Sequence, residues 1–267
     1  MAYKLLALDI DGTLLNSKRE ITPRVREAIR KAVDAGVFVL LATGRMYRAM
    51  RKINESLGLT MPCMVYGGGQ IVKDGEIIYE CALDPALTHD ILQWAHQMGR
   101  HAQVYIGNDF VYEKENVYAK EYADFCGFPG VADPGILERM DIQTPKMLMI
   151  SEPDNIACWA EEARARYGDR LKIAVSNPRF LELNNPLTSK GAALDYLAKS
   201  MGLTAENCIA MGDATLDLPM IEYAGLGVAM QNADDRTKSK ADFICPSNDE
   251  DGVAYVIERF ILGGETL

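Results

Sequence analysis

KLLALDIDGTLLNSKREITPRVREAIRKAVDAGVFVLLATGR, residues 4–45, is the stretch that decides the fold. It opens on an apolar run, residues 4–10, of the kind that forms a strand buried on both faces. Thr22 then stands as an N-cap with Pro23 at the first helical position. Val25, Ala28, Ile29, Ala32 and Val33 recur at helical spacing until Gly36 stops the run. Residues 37–42 make a second buried strand, residues 46–57 predict a second helix, and residues 63–66 a third strand. Strands and helices alternating through short joints require a parallel sheet with right-handed crossovers. The fold class is therefore α/β, a doubly wound parallel sheet.

The same alternation returns further along. Thr188 or Ser189 caps a helix with Ala193, Leu194, Leu197, Ala198 and Met201 on one face, closed by Gly202. Residues 208–211, 226–230 and 242–245 read as short strands, and residues 251–261 as a closing helix. Between these halves lies a stretch richer in aromatics. It mixes helix-like segments (88–98, 155–167) with strand-like ones (103–105, 146–150, 172–175). Asp84-Pro85 and Asn185-Pro186 mark its ends, as Asx-Pro steps do at interdomain joints. The expected organisation is a core of residues 1–82 and 187–267, interrupted by an α+β insertion over 83–186.

Composition narrows the class. The chain has 267 residues, 48% hydrophobic and 25% charged, close to the soluble globular average, which excludes disorder. Its longest unbroken apolar run, residues 37–42, is far short of the ~20 residues of a membrane span. Asp9 and Asp11 break the apolar stretch at the start, so it does not read as a signal peptide, and the expected location is the cytoplasm. Lys and Arg number 28 against 38 Asp and Glu, a net charge of −10. Such a surface repels phosphate backbones, and nucleic acid is not an expected partner. The 6 cysteines form no CxxC pair and read as small buried hydrophobes. With 3 histidines, a zinc site or a Ser-His-Asp triad has little to draw on, and GxSxG, Walker A and GxGxxG are all absent. Oligomeric state is not legible.

In an open parallel sheet, ligands bind beyond the carboxyl ends of the strands. The first strand ends in Asp9-Ile10-Asp11-Gly12-Thr13, the second in Thr43-Gly44-Arg45, and the strand after the insertion in Gly212-Asp213, with Asp217 close behind. Carboxylates gathered on one edge need a cation, and hard oxygen donors without histidine or thiolate point to Mg²⁺. Lys190 sits in the first turn of its helix, against the macrodipole, so carboxylates or a bound phosphate must want its charge.

DIDGT (9–13), ATGR (42–45), SKG (189–191) and GDATLD (212–217) resemble the four motifs of the haloacid dehalogenase-like hydrolases. GLGVAMQNA and KSKADFICPSNDEDGVA, within 225–254, resemble the Cof-type subfamily, whose α/β cap (type IIB) is inserted between motifs II and III. The resemblance implies Asp9 as nucleophile, taking the phosphoryl group as an aspartyl-phosphate. It implies Asp11 as general acid and then base, and Thr43 and Lys190 as ligands of the phosphoryl oxygens. Mg²⁺ would be held by Asp9, Asp213 and the backbone carbonyl of Asp11. Gly12, Gly44 and Arg45 would line the substrate side, with Arg45 and the cap facing the rest of the substrate, and closure between cap and core is expected. Asp217 would orient Lys190 or metal-bound water. Two positions depart from the pattern: Leu216 stands where the family usually has Asn, and Gly67-Gly68-Gly69 replaces an Asn-Gly pair. Asn232 is a candidate replacement amide, and Gly67 and Gly68 either bring bare N–H groups to substrate or make an ordinary turn. The implied function is a Mg²⁺-dependent phosphatase of a small phosphorylated metabolite such as a sugar phosphate. A phosphotransferase or mutase, or an impaired relative that binds phosphorylated ligands, are the alternatives.

Overall fold

The structure, a computed structural model, describes residues 3–263. The chain divides into two compact units: Met1–Tyr79 with Ser189–Leu267, and Glu80–Thr188.

The first unit is built on an 8-stranded sheet. From one edge the strands run Phe243–Cys245, Leu226–Met230, Cys208–Gly212, Leu5–Asp9, Phe38–Ala42, Cys63–Val65, Gln70–Lys73 and Glu76–Glu80. Every pairing from the first of these to Cys63–Val65 is parallel, as the alternation of strand and helix requires. Leu5, Leu6, Ala7 and Leu8 are wholly buried, which is why that strand shows no polar alternation. It sits centrally, with Leu5 opposite both Cys208 and Phe38.

The helices follow their sequence signals. Thr22 Oγ accepts from Val25 N at 3.2 Å and starts Pro23–Asp34, which buries Val25, Ala28, Ile29 and Ala32. Ser189 caps Lys190–Ser200, accepting from Ala192 N at 3.0 Å.

Three features depart from the sequence reading. The sheet continues past Cys63–Val65 into Gln70–Lys73, paired antiparallel to it, so the core sheet is mixed at this edge. Asp74 and Gly75 make the next turn with φ of 52° and 83°. The helix expected over 46–57 begins as a 3₁₀ turn, Tyr47–Met50, before Arg51–Leu57. The closing helix is α only over Gly252–Val256 and winds into a π-turn at Ile257–Ile261.

The second unit carries a 6-stranded sheet in the order Lys172–Asn177, Phe180–Asn184, Met147–Ile150, His101–Ile106, Asp109–Tyr112, Val131–Ala132. Its pairings are antiparallel except the last. Helices Pro85–Gln97 and Pro153–Tyr167 supply Leu87, Ile91, Trp94, Ile156 and Ala160 to one core with Val104, Met147, Met149, Leu181 and Leu183 of the sheet. The sequence reading missed helix Val117–Cys126, which Asn116 caps by accepting from Ala119 N at 3.0 Å. No described helix is long and apolar enough to cross a membrane.

Candidate active site

Three neighbouring parallel strands of the first unit deliver the candidate residues. Asp9 ends its strand, Thr43 follows Phe38–Ala42, and Asp213 follows Cys208–Gly212. The chain leaves the central strand toward Phe38–Ala42 on one side and reaches Cys208–Gly212 on the other. This is the switch point at which an open α/β sheet forms its ligand crevice. Helix Lys190–Ser200 brings its first residue to the same place.

Lys190 Nζ lies 2.6 Å from Asp9 Oδ1, 2.5 Å from Asp217 Oδ1 and 3.3 Å from the Ala42 carbonyl. All three side chains lie inside the protein: Lys190 is 3% exposed, Asp9 7% and Asp217 1%. Burial pushes the lysine's pKa down, but Asp9 and Asp217 outweigh it and hold the ammonium above its ordinary range. The cost of a cation against a helix N-terminus is offset by these two carboxylates.

Asp217 carries two tasks. Its second oxygen, Oδ2, accepts from the backbone N–H of Asp213 and of Ala214, each at 3.1 Å, and so fixes the turn on which Asp213 sits. Gly212 is there because a Cβ would run into the Asp217 side chain. Gly12, at φ +85°, is likewise required: a Cβ would meet the Asp213 carboxylate. Thr13 donates to Asp213 Oδ1 at 3.2 Å.

Oxygens of Asp9, Asp213 and Asp217 all fall within 4.8 Å of one another. Burial, reinforced by Asp217, pushes Asp213 up to about 6. Burial also raises Asp9 well above its ordinary value, against the pull of Lys190. Three carboxylates, two of them buried and Asp213 partly so, therefore gather around a single ammonium, an excess of negative charge. An all-oxygen donor set in that condition suits a hard divalent cation, which would relieve the excess. The sequence reading named Asp9, Asp213 and the backbone carbonyl of Asp11 for the metal; the side-chain carboxylates gathered here are Asp9, Asp213 and Asp217.

Arg45 takes up the Asp11 side chain. Nε donates to Asp11 Oδ2 at 2.9 Å and Nη2 to Oδ1 at 2.5 Å, a two-point fork. Arg45, expected to face substrate, is thus engaged with Asp11. Its own backbone is pinned on both sides, N donating to Thr43 Oγ at 3.1 Å and O accepting from Tyr66 N at 3.0 Å. Thr43 Oγ accepts that bond, so its hydroxyl proton is available to an incoming oxygen.

The glycine run is scaffolding. Gly67 N donates to Thr43 O at 2.9 Å, and Gly68 N and Gly69 N each donate to Val65 O at 3.1 Å, which of the two readings favours the turn. Gly68, at φ +98°, lets this loop lie against the Ser189–Lys190 backbone, where a Cβ would collide. Gly44 is exposed on its turn. Asn232 does not replace the missing motif amide: its Nδ2 donates to the Gly12 carbonyl at 2.8 Å. Leu216 is 56% exposed. Sequence reasoning missed the close packing of Gly191, where a Cβ would strike the Pro219 carbonyl; the glycine beside Lys190 was the available signal.

A switch-point crevice holding an aspartate nucleophile candidate, a lysine and clustered carboxylates defines an α/β enzyme of the phosphoryl-transfer kind. The chain belongs to the haloacid dehalogenase-like hydrolases, whose sequence profile matches residues 6–257. It is 35% identical over 269 residues to a 5-amino-6-(5-phospho-D-ribitylamino)uracil phosphatase of Bacillus subtilis, covering 97% of this chain and 96% of that one. A crystal structure from Thermotoga maritima superposes with a TM-score of 0.89 at 31% identity, over 96% of this chain and 97% of that one. A sugar phosphatase of subclass IIB shares the fold at a TM-score of 0.76 and 22% identity, covering 96% and 98% of the two chains.

Proposed function

We propose that the protein is a Mg²⁺-dependent phosphatase of a small phosphorylated metabolite, a phosphate monoester of a sugar or sugar-alcohol chain. The observation that carries this reading is Lys190, buried and held between Asp9 and Asp217. A lysine so placed serves both the nucleophile and the incoming phosphate. Membership of the family and the phosphatase likeness support it.

Asp9 attacks phosphorus, forming an aspartyl-phosphate as the ester oxygen leaves. Asp11 gives that oxygen its proton and takes one from the water that later attacks the acyl phosphate. Arg45 sets where the Asp11 carboxylate lies between these tasks. Thr43 Oγ donates to one phosphoryl oxygen, and Lys190 turns a donor from the Ala42 carbonyl to another. Asp9, Asp213 and the Asp11 carbonyl would hold Mg²⁺, with Asp217 keeping Asp213 and Lys190 in place. When bound, the ion neutralises charge on the non-bridging oxygens. Every group these steps require is present, so the leucine at 216 leaves the chemistry intact.

The test is phosphate release from a panel of sugar, sugar-alcohol and ribitylaminouracil phosphates, with and without Mg²⁺. Metal-dependent release that falls at least about 10³-fold in Asp9→Asn is expected. Release unchanged in that variant refutes the reading.

A further inference from the structure

The loop that follows the nucleophile is held from the far end of the chain. Asn232 uses both ends of its amide: Nδ2 donates to the Gly12 carbonyl at 2.8 Å, and Oδ1 accepts from Asn248 N at 3.0 Å. Asn248 in turn donates through Nδ2 to the Leu15 carbonyl at 2.8 Å. Further out, Asp249 Oδ1 accepts from Ser17 N at 2.8 Å, and Asp251 Oδ1 accepts from Thr22 Oγ at 2.6 Å. The segment supplying these groups is stiffened by its own box, in which Glu250 Oε2 accepts from Ser247 N and Oγ.

Gly12 is confined on both sides. One side has no room for a Cβ beside Asp213, and the carbonyl on the other is tied to Asn232. Rotation of the Gly12 peptide would swing the neighbouring Asp11 carbonyl and carboxylate, and would carry Thr13 off Asp213. A turn needs no such fixture to close: Leu14 N and Leu15 N already donate to the Asp9 and Ile10 carbonyls at 3.2 and 2.9 Å. The amides of two asparagines, brought from over 200 residues away, do something the local turn does not.

We propose that Asn232 and Asn248 form a relay that positions Asp11 for both of its proton transfers, a role resting on the phosphatase reading above. The side-chain N–H groups are the working parts. Asn232→Asp keeps the shape and the acceptor for Asn248 N, but turns an oxygen toward the Gly12 carbonyl.

The experiment compares wild type with Asn232→Asp, Asn232→Ala, Asn248→Asp and Asp249→Ala. The expected result is a kcat about tenfold lower in both Asn232 variants and in Asn248→Asp, with KM moved less than about twofold. Asp249→Ala, which cuts only the outer bond to Ser17, keeps kcat within about twofold. Hydrogen exchange at the Leu14 and Leu15 amides, followed without substrate or metal, quickens in the Asn232 and Asn248 variants and stays at the wild-type rate in Asp249→Ala. Wild-type kcat in Asn232→Asp, or unchanged exchange at Leu14 and Leu15, overturns the relay. Should wild type release no phosphate from any ester, the phosphatase reading falls, and the exchange arm alone still decides whether the two amides hold the loop.

Discussion

Mg²⁺ should compete with protons for this site as its raised carboxylates titrate. Asp213 stands at about 6, raised by burial and by Asp217, and Asp9 is raised in the same direction. A carboxylate raised in the folded state contributes stability below its unfolded pKa and loses it as pH climbs through the folded value. For Asp213 that window runs from roughly 4 to 6, and the shift of about two units corresponds to about 3 kcal/mol lost in the metal-free protein by neutral pH. Cation binding restores this by holding the ionised form. At pH 5.5 a group titrating at 6 is about three-quarters protonated, so binding there expels ~0.8 proton from Asp213, against almost none at pH 7.5. Apparent affinity should drop about tenfold between pH 7.5 and 5, and Asp9 adds to that drop. Calorimetric titration with Mg²⁺ in two buffers of different ionisation enthalpy counts the protons, and thermal melts with Mg²⁺ or EDTA follow the stability. Fewer than ~0.2 protons released at pH 5.5, with affinity flat across the range, would refute the electrostatic account of the site.

Lys190→Met leaves two buried carboxylates without their shared partner, and denaturant unfolding at neutral pH should show a loss of about 3–5 kcal/mol, smaller in acid. Gly68→Ala places a methyl against the Ser189 carbonyl at a backbone φ of +98°, and should cost at least ~2 kcal/mol in the same assay. Gly67→Asn, at φ +66° with open space around it, should cost under about 1 kcal/mol. Leu216→Asn, at a position 56% exposed, should leave the unfolding free energy within about 0.5 kcal/mol of wild type and change kcat by no more than about tenfold.

How far the sequence can be read follows from how local each signal is. Thr22, Pro23 and the apolar spacing behind them specify Pro23–Asp34 from within one window, and the structure has it there. Asp9, Thr43 and Asp213 were legible as a group because parallel strands put all their ends on one edge, and Lys190 by its place against a helix N-terminus. The hairpin Gln70–Lys73 with Glu76–Glu80 was missed because its second strand is largely exposed and carries little apolar pattern. Asp74-Gly75 was the overlooked signal. Helix Val117–Cys126 buries only Ala119 and Tyr122, too little periodicity to find without reading Asn116 as its cap. The pairing of Arg45 with Asp11 and of Asn232 with Gly12 depends on which loops the sheet brings together across 34 and 220 positions. No single-window reading reaches that far.

The central place of Leu5–Asp9 has a consequence for synthesis. One edge of this strand, apolar up to Asp9, pairs with Phe38–Ala42, which leaves the ribosome soon after it, but the other waits for Cys208–Gly212. At translation speeds of ~5–20 residues per second, about 200 intervening residues mean roughly 10–40 seconds with that edge open. During this interval residues 101–184, whose sheet pairings are all internal, emerge. The nascent chain thus carries an unfinished sheet, and the open edge of Leu5–Asp9 is a template a second chain could join. Codon-level slowing before residue 208 would lengthen the exposure, and a holdase would find its target at residues 5–9.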